Sequence, residues 1–233
     1  MLREILLLCL AGGVCALDTT AAWQLMISQP LVSGTVAGLL LGAPQVGVFI
    51  GLVLQLLWSG AIPVGARPMP DAPVGSVSGV WFAVTLLEAN DPASSSFCCL
   101  LGLIAALCVA LLGRHTIILE REINAKLFKN IVRRVGDGQE VYPERTVLIA
   151  LMIGFARGFI ACLVAMGVLT LVASVLARNP ALFERDYSLT LLVLEALGVG
   201  VLFSVFVGRS RGRLLGFAGG MAWALVIINL FHG

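Results

Sequence analysis

The stretch DTTAAWQLMISQPLVSGTVAGLLLGAPQVGVFIGLVLQLLWSGAIPVGARPMPDAPVGSVS, residues 18–78, decides the fold of this chain. Two apolar runs, residues 31–42 and 46–58, meet in it at the helix breaker Ala43–Pro44. As helices these runs reach only about 20 Å each, whereas the hydrocarbon core of a bilayer is roughly 30 Å thick. The stretch is therefore either one kinked span or a helical hairpin that enters and leaves on one side. Its many glycines favour the hairpin.

The composition places the rest of the chain in a membrane. The sequence is 59% hydrophobic and only 12% charged, whereas soluble domains carry about 25% charged residues. Several further apolar runs are long enough to cross a bilayer as helices. We predict an all-α polytopic integral membrane protein with about 6–8 transmembrane helices, including broken half-helices or a re-entrant hairpin.

We expect a single membrane domain over residues 1–233, divided into three parts. Residues 18–78 form a broken-helix substrate region, and residues 146–231 form a C-terminal helical bundle. Between them, residues 114–145 carry seven Arg or Lys against five acids, with apolar residues at every fourth position. This pattern predicts an amphipathic helix on the membrane surface, and its basic excess places it in the cytoplasm.

Polar side chains inside apolar segments are candidate site residues, because their burial in a membrane is costly. Carboxylates and amides near the breaks suit a neutral polyhydroxylated ligand, whose hydroxyl groups both donate and accept hydrogen bonds. The candidate substrate-binding residues are Asp18, Gln24, Gln55, Ser59 and Asp71. Gln55 and Ser59 are four residues apart, so they share one helix face.

Other residues are candidates for structural or gating roles. Asp71 also has a purely structural interpretation, since it precedes a helix and suits an N-cap. We expect Arg157 and Glu195, which both lie deep in apolar runs, to form an ion pair between neighbouring helices. The structural or gating candidates are Gln29, Pro30, Pro44, Gly60, Gly65, Arg157 and Glu195.

Several functions are not supported by the sequence. It contains no Gly-x-x-x-x-Gly-Lys-Ser/Thr motif, so we do not expect ATP hydrolysis. No Cys or His in the broken stretch offers itself as a phosphoryl acceptor. We expect no catalytic residue, no metal site and no cofactor, and the net charge of +2 gives no reason to expect nucleic acid as a partner.

The broken stretch resembles the membrane C component of the mannose–fructose–sorbose family of the bacterial sugar phosphotransferase system. The family's motifs are a Pro that opens the first half-helix, a Leu-Gly at the break, a later Leu followed by an acid, and a Pro-Asp before the next helix. The matching positions here are Asp18, Pro30, Leu41–Gly42, Gly47, Leu54–Gln55, Gly60, Gly65 and Pro70–Asp71.

The resemblance implies a multi-pass permease subunit of the bacterial inner membrane. Such a subunit binds a hexose-type sugar and pairs with a D component. The resemblance also implies an oligomeric complex. Phosphoryl transfer then belongs to the cytoplasmic A and B components, so this chain is not an enzyme by itself. Three charged family residues are replaced, by Gln29, Ala43 and Gln55. Alternatives are a non-transporting regulatory or scaffold subunit and a stand-alone secondary transporter.

Overall fold

The computed structural model describes most of the chain. The described residues are 2–22, 24–59, 69–90, 95–178, 183, 187–207, 218–220, 222–223 and 226, without the side chains of 197 and 203–207. The candidates Gly60 and Gly65 lie outside the described residues, as does most of the predicted last span over residues 214–230.

Every regular element in these ranges is an α-helix. In chain order they are α1 (Leu2–Thr20), α2 (Pro30–Leu40), α3 (Pro44–Trp58), α4 (Ala72–Ala89), α5 (Ser95–Gly136), α6 (Pro143–Leu176) and α7 (Ser188–Val207). Among them, α4, α5 and α6 are long and apolar enough to cross a membrane. The predicted all-α membrane class is confirmed.

The helices α2 and α3 form the predicted hairpin, and local backbone chemistry makes the turn. Gly42 adopts a left-handed conformation with φ of +71°. The N–H of Ala43 donates to the carbonyl of Gly38 at 2.8 Å, and the N–H of Gly42 donates to that of Leu39 at 3.2 Å. These two bonds are those of a Schellman motif. Pro44 then begins α3, where its missing N–H removes no helical hydrogen bond.

Glycines hold the two half-helices close together. A Cβ atom built on Gly34 would lie 2.9 Å from the carbonyl oxygen of Gly47, and one on Gly51 would lie 2.6 Å from that of Pro30. Only glycine permits backbones to approach this closely. The hairpin, rather than one kinked span, is therefore the structure that the glycines select.

The helix α4 lies at the centre of the bundle. It packs against α1, α2, α3, α5 and α6, and its residues are buried without interruption from Pro73 to Val84. On the α5 side the contact is made by small residues. A Cβ on Gly79 would lie 2.5 Å from the carbonyl oxygen of Gly102. A helix that is apolar on all sides is expected at such a central position.

The helix α6 packs against α1 through a second set of glycines. A Cβ on Gly158 would lie 2.6 Å from the carbonyl oxygen of Gly12, and one on Gly13 would lie 2.7 Å from the ring of Phe155. Close helix approach through small residues is typical of packing in membranes, where lipid supplies no hydrophobic drive for association. This contact fixes the position of Arg157, which immediately precedes Gly158.

The prediction of a separate surface helix over residues 114–145 is wrong. The segment continues the preceding span, and together they form the 42-residue helix α5, which is about 63 Å long. No helix breaker separates Leu112 from Arg114, and Gly113 alone costs only about 1 kcal/mol in a helix. The end of α5 and the beginning of α6 therefore extend beyond the bundle, and Leu127 and Ile149 line a hollow between them.

Candidate functional site

Polar side chains gather at one end of the bundle, where α1 ends and α2 and α4 begin. Asp18, near the end of α1, holds the loop that leads to Gln29 and α2. Thr20, two residues later, donates to Glu120 of α5 at 2.8 Å. The hydroxyl groups of Ser33 and Ser76 are 2.6 Å apart and join the first turns of α2 and α4. The predicted polar region therefore lies at the end from which α5 extends.

Asp18 holds the backbone of the loop before α2. It is 3% exposed, and its two carboxylate oxygens accept hydrogen bonds from the N–H groups of Leu25 and, at 3.0 Å, Ser28. Charge-assisted bonds of this kind fix an irregular loop firmly. Both carboxylate oxygens of Asp18 therefore have partners within the chain. The predicted contact of Asp18 with substrate stays a prediction.

The side chains of Gln24 and Ser59 are not hydrogen-bonded to the other candidate residues in the part of the chain that the structure describes. Gln24 is exposed and has a left-handed backbone with φ of +50°. The hydroxyl group of Ser59 donates to the carbonyl of Leu56 at 2.7 Å. Among the described residues, no hydrogen bond joins either side chain to Gln55 or Asp71.

Gln55 and Gln29 form an amide pair between the two ends of the hairpin. The Nε2 atom of Gln55 donates to the Oε1 atom of Gln29 at 2.9 Å. The Oε1 atom of Gln55 is buried and has no hydrogen-bond partner among the described residues. Buried polar atoms without partners are rare, because each costs about 1–3 kcal/mol. The pair is therefore able to accept a hydrogen bond from a ligand.

The side chain of Asp71 does not cap α4. Asp71 stands at the N-cap position, but no cap hydrogen bond is formed by its side chain. Instead its carboxylate bonds Arg157 of α6, and its backbone N–H donates to the carbonyl of Ala110 at 2.9 Å. Gly113 makes room for it, since a Cβ there would lie 2.6 Å from the Cβ of Asp71. Asp71 therefore connects α4 to both α5 and α6.

Arg157 is the centre of a buried charge cluster. Its Nε atom donates to the Oε2 atom of Glu120 at 2.6 Å, and its Nη1 atom donates to the Oδ2 atom of Asp71. Asp71, Glu120 and Arg157 are 0%, 3% and 9% exposed. We call these three residues the charge cluster.

The predicted ion pair between Arg157 and Glu195 is wrong. Glu195 belongs to α7, which packs against α3 through Gly198 and Leu56, whereas Arg157 faces α4 and α5. Glu120 was not among the predicted site residues, because its segment was assigned to an amphipathic helix on the membrane surface. One signal in the sequence could have indicated it: Glu120 lies on the same helix face as Ile117 and Asn124. The structure shows that Ile117 and Glu120 on this face are buried.

The two prolines among the gating candidates both begin half-helices. Pro30 and Pro44 lie at the first positions of α2 and α3. There they stop a helix from continuing backward across the break. They explain why the hairpin is broken where it is, while a gating role for them stays a prediction.

Comparisons with known proteins give one family match and two shorter matches to single proteins. A family described as "PTS system sorbose-specific iic component" matches residues 2–230, where PTS denotes the phosphotransferase system. The Escherichia coli (strain K12) protein "Putative N-acetylgalactosamine permease IIC component 2" is 35% identical over 57 residues, which are 24% of this chain and 43% of that protein.

A second relative is the "PTS system sorbose-specific EIIC component" of Klebsiella pneumoniae. It is 36% identical over 69 residues, which are 30% of this chain and 24% of that protein. The matched segments thus span less than half the length of either relative. The family match, in contrast, covers nearly all of the sequence in hand. This chain belongs to the family of sorbose-specific IIC components of the phosphotransferase system.

Proposed function

We propose that this chain is the sugar-translocating membrane subunit of a phosphotransferase-system permease in the bacterial inner membrane. It binds a hexose-type sugar and passes it inward, where a partner B component phosphorylates it. A D component shares the membrane assembly, and an A component supplies phosphate to B. Family membership supports this role, and the amide pair Gln29–Gln55 is the observation that carries it.

The chemistry of the amide pair fits a neutral sugar. The unpartnered Oε1 atom of Gln55 is an acceptor, and a sugar hydroxyl is a donor that can satisfy it. No full charge belongs to the pair, so it has no preference for an anionic ligand. The position is also suitable, because the pair joins the two ends of a broken helical hairpin. Transporters commonly place their substrates at such breaks.

The position of the site in the bundle supports inward transfer. The charge cluster and the polar loop lie at the end from which α5 runs on to Gly136. That extension carries Lys126, Lys129, Arg133 and Arg134, with no acid between residues 123 and 136. Basic excess next to a span favours the cytoplasmic side. A sugar released at this end would reach the compartment of the phosphoryl donor.

Uptake that depends on the phosphoryl donor tests the proposal. The chain is coexpressed with its D component in cells that lack other sugar permeases, and labelled hexoses, amino sugars and sorbose are screened. The variant Gln55→Leu removes the amide at nearly constant volume. Since one neutral hydrogen bond contributes about 0.5–1.5 kcal/mol, we expect a rise of about two- to tenfold in the half-saturating sugar concentration.

A matched control lies on the same helix. Gln45 is exposed near the start of α3, so Gln45→Leu should leave uptake unchanged. Unchanged uptake in Gln55→Leu at equal expression would contradict the site. Donor-dependent uptake absent for every sugar tested would contradict the transport role. Uptake by the purified chain alone, driven by an ion gradient, would instead support a secondary transporter.

A further inference from the structure

The charge cluster does not balance its charges. It contains two carboxyl groups, of Asp71 and Glu120, and one guanidinium group, of Arg157. If both carboxyl groups were ionised, one negative charge would remain uncompensated among side chains that are all more than nine-tenths buried. An unpaired charge in a low-dielectric interior is strongly disfavoured, and such a site neutralises itself by binding a proton.

The hydrogen bonds distinguish the two carboxyl groups. Both oxygens of Glu120 have polar partners: Oε2 accepts from Arg157 at 2.6 Å, and Oε1 lies 2.8 Å from the hydroxyl of Thr20, which shares its hydrogen with the carbonyl of Ala16 at 3.0 Å. In Asp71 only Oδ2 accepts from Arg157, while Oδ1 is buried without a partner among the described residues. Hydrogen bonds donated to a carboxylate favour its ionised form. Asp71 is therefore the carboxyl group with fewer hydrogen bonds to support a negative charge.

The elements packed around Asp71 offer no second cation among the described residues. The charged groups that act on Asp71 are Arg157 and Glu120. The thiols of Cys15 in α1 and Cys162 in α6 also interact with it, and Asp18 of α1 interacts with Cys15. The two thiols carry no positive charge, and Asp18 is itself an acid. The positive end of α4 and the nearby N–H of Val74 favour a carboxylate at Asp71, but the side chain makes no cap hydrogen bond of full geometry there. Arg67 lies outside the described residues.

We propose that Asp71 is a proton-binding site that is occupied at neutral pH, so that the charge cluster is neutral as a whole. Glu120 and Arg157 are then a complete ion pair, and Asp71 accepts a hydrogen bond from Arg157 as a neutral acid. Loss of this proton leaves a buried negative charge where α4, α5 and α6 meet. Proton release therefore weakens the junction that supports the start of α4. This inference does not depend on sugar transport.

Infrared spectroscopy of the purified full-length protein tests the protonation directly. A protonated carboxyl group has a carbonyl stretching band that a carboxylate lacks. At neutral pH we expect one such band to disappear in Asp71→Asn and to shift in protein labelled with ¹³C in the aspartate carboxyl group. It should remain in Glu195→Gln, which removes the acid of α7. A band that is absent from the wild type, or kept by Asp71→Asn, would overturn the proposal.

The variant Glu120→Gln gives an independent check of the charge count. Without Glu120, Asp71 becomes the only acidic partner of Arg157 in the charge cluster, and an ionised Asp71 then balances the charge. The Asp71 band should therefore also disappear in Glu120→Gln, although the Asp71 side chain is still present. A band that persists in this variant would show that charge balance does not control the proton.

Thermal unfolding measured at several pH values tests whether folded Asp71 keeps its proton. An aspartate in an unfolded chain loses its proton near pH 4. If folded Asp71 keeps its proton, the wild type loses stability relative to Asp71→Asn as the pH rises above about 4. The Tm of Asp71→Asn minus that of the wild type should then increase toward neutral pH. A difference that becomes more negative instead would mean that Asp71 is ionised and would refute the proposal.

Discussion

The substitution Gly47→Ala tests the packing of the hairpin on which the site is built. A Cβ atom at Gly47 would come nearest to the carbonyl oxygen of Gly34, and it would lie 2.9 Å from the Cα atom and 3.0 Å from the nitrogen of Gly38. Carbon atoms in favourable contact are about 3.5–4.0 Å apart, so the two half-helices must separate by roughly half an ångström or more. The obstructing atoms belong to the backbone and cannot turn away. Overpacking of this kind costs about 1–3 kcal/mol.

Gly167→Ala is the matched control, because it makes the same chemical change in α6 with no atom within 4 Å of the new Cβ. Both variants gain similar helix propensity, so that gain cancels in the comparison. We expect Gly47→Ala to be less stable than Gly167→Ala by about 1–3 kcal/mol, measured by SDS-titrated unfolding and circular dichroism. Equal stability of the two variants would refute the close packing of α2 and α3.

Three further predictions concern polar contacts. Arg157→Leu should destabilise the protein by about 3–5 kcal/mol, because it leaves buried acid groups unpaired. Glu195→Gln should cost less than about 1 kcal/mol. Similar losses of stability for the two variants in SDS titration would contradict the charge cluster. Asp18→Ala should cost about 2–3 kcal/mol and expose the loop before α2 to proteolysis, since two N–H groups lose a charged acceptor; wild-type resistance would show that the loop is held otherwise. Ser33→Ala and Ser76→Ala should each cost about 1 kcal/mol, because each removes the hydrogen bond between α2 and α4, while the remaining hydroxyl keeps a backbone acceptor. The double variant should cost less than the sum, because that bond is lost only once; additive losses would exclude the bond.

The hairpin was predictable because its signals are local. Gly42 supplies the left-handed residue that ends α2, and Pro44 supplies the first residue of α3. The glycines that permit close packing are also visible in the sequence. The same local reasoning failed for residues 114–145, where an amphipathic pattern predicted a separate helix. Amphipathic spacing shows which face is apolar, but it does not show whether that face meets lipid, water or another helix.

The polar residues show the same division. That Gln29, Gln55, Asp71 and Arg157 need partners followed from their place in apolar sequence. Which partners they have did not follow, because an ion pair joins positions that are distant in the chain. Arg157 bonds Glu120, 37 positions away, and Asp71, 86 positions away. The packing of α6 against α1 and α5 decides this choice, so the pair with Glu195 was a reasonable prediction that the fold excluded.

The sequence by itself determined the membrane class, favoured the hairpin and supplied the polar residues of the two clusters except Glu120, since hydropathy and backbone preferences act over short distances. Only the tertiary structure decided how those residues are grouped. It separated the amide pair Gln29–Gln55, which keeps an unpartnered acceptor, from the charge cluster of Asp71, Glu120 and Arg157. The physical reason is that the pairing of buried polar groups depends on which helices pack together, and glycine contacts between distant segments set that packing.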